Sequence, residues 1–391
     1  MRRLLAYTAV FVLGALVLRV AVVPAEVCPP LTPERARTAI AEAAGWLERG
    51  VQPAGRYTYG YDREHDVVSG DYNITRHAGV MLSFYQLGRE TDDAEALEAG
   101  EHGLPLVRAN LLRHEGWTAF AEPGQDAQLG ASGLLAIALV QRRLATGDDG
   151  EDELLRGLGR FLAAQQQPDG SVLGRWSRTT ESPVPGEWAT FGTGQALYAF
   201  ALLDGLFPGE GWGERARRLV RYVATRRDDV EGSFLEFADH WSAYGLAELG
   251  PEGLEEPEID YARRLAGILG LNSRLESQSG QGGLNRILRG EPASGAGLGT
   301  TVEGLAALWR LSVADPRLSD LTEDLSTRLR CTAGRSVDRQ VDPVEAEEAP
   351  RPELARGAWF TEGGYTQMDH QRHPLSGLLA ALDVLAAEGQ R

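Results

Sequence analysis

The sequence predicts an all-α protein in which six inner helices alternate with six outer helices. Six apolar stretches rich in Gly and Ala recur along the 391 residues, and a charged, amphipathic stretch precedes each of them. Helices that are apolar nearly all round are buried. In the amphipathic stretches acids gather at the starts and Arg toward many of the ends, which matches the helix dipole. We therefore expect two concentric layers of helices.

The inner helices are predicted where Gly and Ala interrupt an apolar run, because small residues let neighbouring helices approach closely. They include the stretches that begin at Arg76, Gly130, Phe191, His240, Gly299 and His373. The outer helices are predicted in the intervening charged segments, which are residues 32–50, 92–112, 151–167, 213–228, 256–271 and 319–330.

Six outer helices alternating with six inner ones resemble the (α/α)6 toroid over residues ~31 to 386. Six-hairpin glycosidases, related lyases and epimerases share this architecture, as does the terpenoid-cyclase and protein-prenyltransferase group. The resemblance implies one toroid domain, which we place at residues 26–391, and residues 1–25 are predicted separately to be a targeting segment. One such scaffold carries many chemistries, so the fold alone does not choose a function.

The first 25 residues indicate an N-terminal membrane anchor or a cleaved signal peptide. Arg2 and Arg3 precede a long apolar run, the pattern of both kinds of segment. Either one places the rest of the chain outside the cytoplasm, and an anchor would give it a membrane contact. In that compartment Cys28 and Cys331 are predicted to form an intrachain disulfide, the alternative being two unpaired buried thiols.

The charge of the chain excludes one class of partner. The formal net charge is −17, so the sequence lacks the basic face that phosphate contacts require. We expect no nucleic-acid binding.

Loop lengths place the functional residues on one face, which we call the mouth. Connections from inner to outer helices are short, whereas those from outer to inner helices are long and rich in aromatic, acidic and His residues. Long structured loops on a rigid scaffold commonly carry function. The inner helices also direct their positive N-terminal ends to the mouth, which favours an anionic or polyhydroxyl ligand.

Carboxylates beside aromatic rings at the mouth are the groups that sugar chemistry needs. The candidates for acid, base or nucleophile are Asp71, Asp126, Glu187, Asp239 and Asp369. Their expected proton-transfer partners are Tyr72, His77, His240 and His370. For any single acid near a helix start, capping of backbone N–H groups is the structural alternative.

The expected substrate-binding residues are aromatic or polar. Arg76 would anchor a uronate or a phosphate, and stacking platforms would come from Trp117, Trp188, Trp241 and Trp359. Further contacts are expected from Tyr61, Asn73 and Tyr365.

No cofactor is predicted. The alternative is a divalent cation held by His370, His373 and Asp369, because His370 and His373 lie one helical turn apart. A neutral His acting through hydrogen bonds or as a general base is the favoured interpretation.

The leading hypothesis is an extracytoplasmic glycan-active enzyme, a hydrolase, lyase or epimerase acting on a cell-envelope or extracellular polysaccharide. The alternatives are a non-catalytic toroid that binds a glycan or a protein, and a terpenoid-type enzyme acting on a lipid carrier. Free carboxyl pairs ~5.5 Å or ~6.5–9.5 Å apart would indicate a retaining or an inverting hydrolase. If the acids cap helices or pair with Arg, a Tyr/His lyase or epimerase or a binding protein remains.

Overall fold

Six inner helices form a closed ring in the computed structural model, which describes residues 2–18, 25–232, 238–250, 253–279 and 291–389. Each inner helix packs against the next one along the chain, and the sixth packs against the first. The predicted (α/α)6 toroid is thereby confirmed. The inner helices are Ile74–Thr91, Leu129–Thr146, Gly192–Leu206, His240–Leu249, Gly295–Ala314 and Met368–Gly389.

The outer layer follows the predicted alternation. Each of the first five inner helices packs against the outer helix that follows it, and the sixth packs against the first outer helix. The second outer element is divided into two short helices. The outer helices are Pro33–Arg49, Ala94–Glu101 with Leu104–Ala109, Asp152–Gln165, Trp212–Thr225, Glu256–Ser277 and Thr322–Asp338.

Glycines set the closest approaches between inner helices. A Cβ atom on Gly299 would lie 2.2 Å from the carbonyl carbon of His373, and one on Gly79 would lie 2.4 Å from Nε of Arg372. The fifth and first inner helices can contact the sixth at these points only because the glycines have no side chain. These contacts also fix the positions of His373 and Arg372 near the ring axis.

Short antiparallel strands, which the all-α prediction did not include, occupy the long-loop face. In one three-stranded sheet, Gly60–Asp62 pairs with both Val67–Val68 and Tyr365–Gln367, so that Thr366 lies opposite Tyr61. This strand pairing joins the first and sixth long loops. The other strands are Val51–Gln52, Arg56–Tyr57, Leu111–His114, Trp117–Phe120, Ala127–Gln128, Arg175–Ser177 and Ser182–Pro183. Short helical turns lie at Pro53–Gly55, Arg227–Glu231, Pro316–Leu321, Pro343–Ala346 and Pro352–Ala355.

The N-terminal segment begins with the helix Arg2–Val17. Across the described ranges of the chain, no helix is both long enough and apolar enough to cross a membrane. The expected anchor is therefore unsupported, and residues 19–24, on which part of the expected cleavage site falls, lie outside the described residues. The boundary between residues 25 and 26 stays a prediction.

The predicted disulfide between Cys28 and Cys331 is present. It attaches the segment before the first outer helix to the sixth outer helix. Beside it, Glu26 forms ion pairs with Arg274 and Arg328, and the Val27 N–H donates to the Ser277 carbonyl over 2.9 Å. The beginning of the toroid is thus fastened across the fifth and sixth outer helices.

Candidate active site

Three ionisable side chains meet at the ring axis: His240, Glu303 and His373. They come from the fourth, fifth and sixth inner helices, which are consecutive neighbours in the ring. Nδ1 of His373 lies 2.6 Å from Oε2 of Glu303, and Nε2 of His240 lies 4.0 Å from the same oxygen. The two imidazole rings meet edge to face with centroids 5.2 Å apart. We call these three residues the axial cluster.

Burial keeps the axial cluster uncharged. The residues are only 2–5% exposed, and desolvation lowers the pKa of His240 to about 3 and that of His373 well below its usual value. Desolvation likewise raises the pKa of Glu303 to about 8. The short contact between His373 and Glu303 has the geometry of an ion pair, but burial opposes charge on both partners. We therefore describe it as a carboxylic acid that donates a hydrogen bond to a neutral imidazole.

His240 has unused hydrogen-bonding capacity. Within the described part of the chain, neither of its ring nitrogens has a hydrogen-bond partner, although the residue is almost fully buried. Its ring contacts Trp241, with centroids 4.6 Å apart. Buried polar atoms are normally paired, so this imidazole is suited to a reacting group or ligand.

Tyr244 contacts the axial cluster from the side opposite the mouth. Its hydroxyl donates to Oε1 of Glu303 over 3.4 Å. The ring stacks on Tyr198 with centroids 5.0 Å apart. Tyr244 lies one turn after His240 on the fourth inner helix, so the same helix supplies both residues.

Asp369 is held between two guanidinium groups beside the axial cluster. Nε of Arg76 and Nε of Arg372 each lie 2.6 Å from one of its oxygens. Burial alone would raise the pKa of Asp369, but Arg372 and Arg76 together hold it below its usual value. The arrangement gives a fixed carboxylate that orients Arg76, the residue predicted to bind an anionic group.

Two other predicted acids share one arginine. Arg175 binds Asp126 and also contacts Glu187, with Nε 2.6 Å from Oε2. Asp126 further accepts from the Arg178 N–H at 3.0 Å. The Arg178 N–H and Arg175 lower the pKa of Asp126, and Arg175 lowers that of Glu187. Both carboxylates therefore serve to fix the third long loop.

Asp239 and Asp71 have different surroundings. Asp239 is fully buried, caps the fourth inner helix by accepting from the Ser242 N–H at 3.1 Å, and pairs with the buried Arg227. Asp71 is exposed, accepts from the Ser69 hydroxyl at 3.1 Å, and does not cap the first inner helix. Asn73, predicted to bind substrate, is the cap there, accepting from the Arg76 N–H at 3.1 Å. Four of the five predicted acids thus pair with Arg.

Tyr72 lies just before the first inner helix and contacts His77 in the first turn of that helix. Nε2 of His77 faces the Gly103 carbonyl at 3.1 Å, so this nitrogen carries the proton. Nδ1 then accepts from the Tyr72 hydroxyl at 2.8 Å. Desolvation lowers the pKa of His77 to about 4. The pair links the first inner helix to the second outer element at the Gly103 carbonyl.

The predicted aromatic platforms are dispersed. Trp241 lies beside the axial cluster, whereas Trp359 is buried and its indole donates to the Ser336 carbonyl over 2.8 Å. Trp117 packs in a cluster with Trp176, their ring centroids being 5.0 Å apart. Trp188 is half-buried in the third long loop.

The two predicted tyrosines belong to the small sheet at the mouth, in adjoining strands. Tyr61 is buried and donates to Asp66 over 3.1 Å, while Tyr365 is half-buried. His370 lies nearby on the sixth inner helix. Its Nδ1 has no partner within the described residues, and desolvation lowers its pKa to about 4.

The possible metal ligands named from the sequence differ from the group of possible ligands that the fold brings together. His373 pairs with Glu303, and Asp369 is engaged by Arg76 and Arg372. In the described residues, the group that brings ligand atoms within 4.8 Å of one another is the axial cluster itself. Two imidazoles and a carboxylate are ligands that suit zinc or iron.

Glu303 was missed by reasoning from sequence. It stands inside an apolar helix, "TTVEGLAAL", rather than in a long loop. The available signal was its placement, since a carboxyl group within a buried helix needs a specific partner. His373 was considered only as a metal ligand.

Comparison with known proteins identifies the fold and no family. Neither a scan against protein-family models nor a search of curated proteins gave a match. Among solved structures, the chain is similar to a D-mannose isomerase (TM-score 0.66, 13% identity, 90% of this chain and 98% of that one). It is also similar to the cellobiose 2-epimerase of Spirochaeta thermophila DSM 6192 (TM-score 0.62, 14% identity, covering 90% and 98%).

A glycoside hydrolase has the same fold. The chain is similar to an inactive, doubly Asp→Asn-substituted variant of the GH76A alpha-1,6-mannanase of Salegentibacter sp. HEL1_6 in complex with alpha-1,6-mannotriose (TM-score 0.64, 12% identity, covering 90% and 99%). The chain therefore has the (α/α)6 toroid fold found in sugar isomerases, sugar epimerases and GH76 mannanases.

Proposed function

We propose that this protein is a carbohydrate-active enzyme that transfers a proton next to a sugar carbonyl, as a sugar epimerase or an aldose–ketose isomerase. The observation that carries the proposal is the axial cluster: two neutral imidazoles in contact, one hydrogen-bonded to a neutral carboxylic acid. Neutral imidazole accepts a proton readily, and neutral carboxylic acid can return one.

The chemistry requires one group to remove a proton from the carbon beside the carbonyl and one to return a proton. In our proposal, His240 takes the proton, since neither of its ring nitrogens is engaged. His373 returns one from Nε2 while Nδ1 takes the proton of Glu303. Return to the opposite face of the same carbon gives an epimer, and return to the former carbonyl carbon gives the isomer. Glu303 is then left as a carboxylate and His240 as an imidazolium. The proton that His240 took from the sugar returns to Glu303, whose Oε2 lies 4.0 Å from Nε2 of His240, and this restores both groups.

A hydrolase is less well supported. Glycoside hydrolysis uses two carboxyl groups flanking the scissile bond, and four of the five predicted acids are occupied by Arg. The substitutions that inactivate the mannanase variant are a pair of Asp→Asn changes. In this chain the adjacent Asp pairs are residues 92–93, 148–149 and 228–229, all outside the inner helices.

The names of the similar structures support a proposal for the substrate class. The names of the isomerase and the epimerase refer to D-mannose and cellobiose, and the mannanase was solved with a mannose oligosaccharide. We propose a reducing sugar or the reducing end of a glycan as the substrate. An extracytoplasmic location is part of the proposal, and the disulfide together with the basic, apolar N-terminal segment supports it.

The test is incubation of the protein with a panel of aldoses, ketoses and reducing disaccharides in D2O, followed by NMR. We expect conversion to the 2-epimer or the ketose, with loss from His240→Ala and His373→Ala of roughly 100-fold or more in rate. His65→Ala, which removes an exposed imidazole, is the matched control and should retain activity. Release of sugars by hydrolysis, or full activity in both axial variants, would overturn the proposal.

A further inference from the structure

Arg372 has a buried guanidinium group with unused hydrogen-bond donors. The residue is only 6% exposed, and its Nε donates to Oδ1 of Asp369 over 2.6 Å. Within the described part of the chain, Nη1 and Nη2 of Arg372 have no hydrogen-bond partner. Buried donors are normally paired, so these nitrogens are suited to a ligand.

Arg76 is joined to Arg372 through the same carboxylate. Its Nε lies 2.6 Å from Oδ2 of Asp369, and its Nη1 contacts the Tyr59 hydroxyl. Among the residues that the structure describes, neither arginine pairs with any other acid. We call Arg76, Asp369 and Arg372 the arginine group. Two guanidinium groups share one carboxylate, so the group has a net charge of +1.

The net charge of the arginine group favours an anion. The axial cluster beside it is uncharged, and burial lowers the pKa of His370 to about 4, so these neighbours add no charge at neutral pH. A charge that is removed from water and left unbalanced is costly. The chain as a whole has a formal charge of −17, so positive charge is a local property of this group. A bound anion neutralises it, whereas a neutral sugar does not.

The arginine group connects the mouth with the surroundings of the axial cluster. Arg76 lies in the first turn of the first inner helix, and its side chain is 31% exposed. Arg372 precedes His373 in the sixth inner helix, and its charge adds to burial in lowering the pKa of His373. The close contact of Arg372 with Gly79 fixes its position. A ligand on this group therefore lies beside the residues proposed to transfer protons.

We propose that the arginine group binds a negatively charged substituent of the sugar, a carboxylate or a phosphate, so that the substrate is a uronic acid or a phosphorylated sugar. The guanidinium fork matches the oxygens of both anions. Arg76 was expected from the sequence to bind such an anion, and Arg372 is the deeper, buried partner that the sequence did not single out. The inference rests on the proposed function in taking the ligand to be a sugar.

The test measures equilibrium binding of methyl glycosides by isothermal titration calorimetry. In both the gluco and the manno series, the neutral methyl glycoside is compared with its uronate and with its 6-phosphate. A methyl glycoside has no free carbonyl group, so the proposed reaction cannot convert it. We expect wild type to bind one of the anionic forms roughly 10-fold or more tightly than the neutral one. Preference for the uronate identifies a carboxylate ligand, and preference for the phosphate ester identifies a phosphate ligand.

The preference should persist at about 0.5 M NaCl, because buried charges are screened much less than exposed ones. Arg372→Gln should weaken binding of the anionic glycoside by roughly 10-fold or more and change that of the neutral one by less than about 2-fold. Arg113→Gln is the matched control, since it removes the same charge from an exposed position at the mouth, and it should bind as wild type does. Circular dichroism checks each fold, and Arg76→Gln replaces Arg372→Gln if the latter does not fold.

Two results would overturn the inference. One is equal affinity of wild type for the anionic and the neutral glycosides in both series, which needs no variant. The other is an unchanged preference in the folded Arg372→Gln protein, or an equal loss in Arg113→Gln. Anion binding without conversion of any sugar would support the arginine group and reject the proposed function. Conversion of neutral sugars without any preference for anions would reject the arginine group alone.

Discussion

The proton on Glu303 predicts an unusual dependence of stability on pH. Its pKa is raised from an ordinary 4.5 to about 8, so between these values the folded protein binds more protons at this site than the unfolded chain does. The contribution is therefore fully present below pH 4.5 and is lost as the pH rises to about 8. A difference of about 3.5 pH units, at about 1.4 kcal/mol per unit, gives on the order of 5 kcal/mol.

Glu303→Gln isolates this contribution. The amide is always neutral and its NH2 can donate to Nδ1 of His373, so it imitates the protonated acid. We expect the free energy of unfolding of the variant to match that of wild type at pH 4.5 and to exceed it by up to about 5 kcal/mol at pH 9. The lowered pKa values of the two axial histidines act in the opposite direction, removing stability as the pH falls below 6.5, but they are common to both proteins.

Urea unfolding followed by circular dichroism at pH 4.5, 6, 7.5 and 9 provides the assay. The exposed substitution Glu98→Gln is the charge-matched control. If the difference between Glu303→Gln and wild type does not change with pH, then the pKa of Glu303 is the same in the folded and the unfolded protein, and Glu303 is ionised at neutral pH. That result would refute the neutral axial cluster and with it the assignment of Glu303 as a proton donor.

Three further variants test the fold around the site. Replacing both Cys28 and Cys331 by Ser should lower the free energy of unfolding by about 2–5 kcal/mol, measured by urea unfolding. The wild-type protein treated with a reductant should show the same decrease. Asp239→Ala should lower the free energy of unfolding by about 2–3 kcal/mol in the same measurement, because it removes the cap of the fourth inner helix and one of the two carboxylates that pair with Arg227; an effect below 1 kcal/mol would contradict these buried contacts. Gly299→Ala should lower Tm and sugar conversion together, because its methyl group would overlap the backbone of His373; unchanged values for both would contradict the close contact.

The toroid was predictable because its signals are repeated and local. Six apolar stretches with Gly and Ala, alternating with amphipathic ones, define the two layers without knowledge of any contact. The strands at the mouth were not predictable, since pairs such as Tyr61 with Thr366 join segments far apart in sequence and last for only three residues. The pairing of Cys28 with Cys331 was predictable because the chain has only two cysteines.

The site was only partly predictable, because the partner of a charged side chain is set by the fold. Asp369 and Arg76 are 293 residues apart, and the sequence gives no sign that they pair. His240 and His373 were both noted at the beginnings of inner helices. Their meeting depends on the fifth inner helix, which stands between the two in the ring and supplies Glu303. The sequence signal for this site is a carboxyl group in the middle of an otherwise apolar helix.

The joint between the first and last parts of the chain affects how the protein unfolds. The strand pairing between the first and sixth loops, the packing of the first outer helix on the sixth inner helix, and the Cys28–Cys331 disulfide all cross this joint. In an open repeat array the terminal units have one neighbour and loosen first. The closed ring of inner helices has no such terminal unit, so we expect slow amide hydrogen exchange, at similar rates, in all six inner helices.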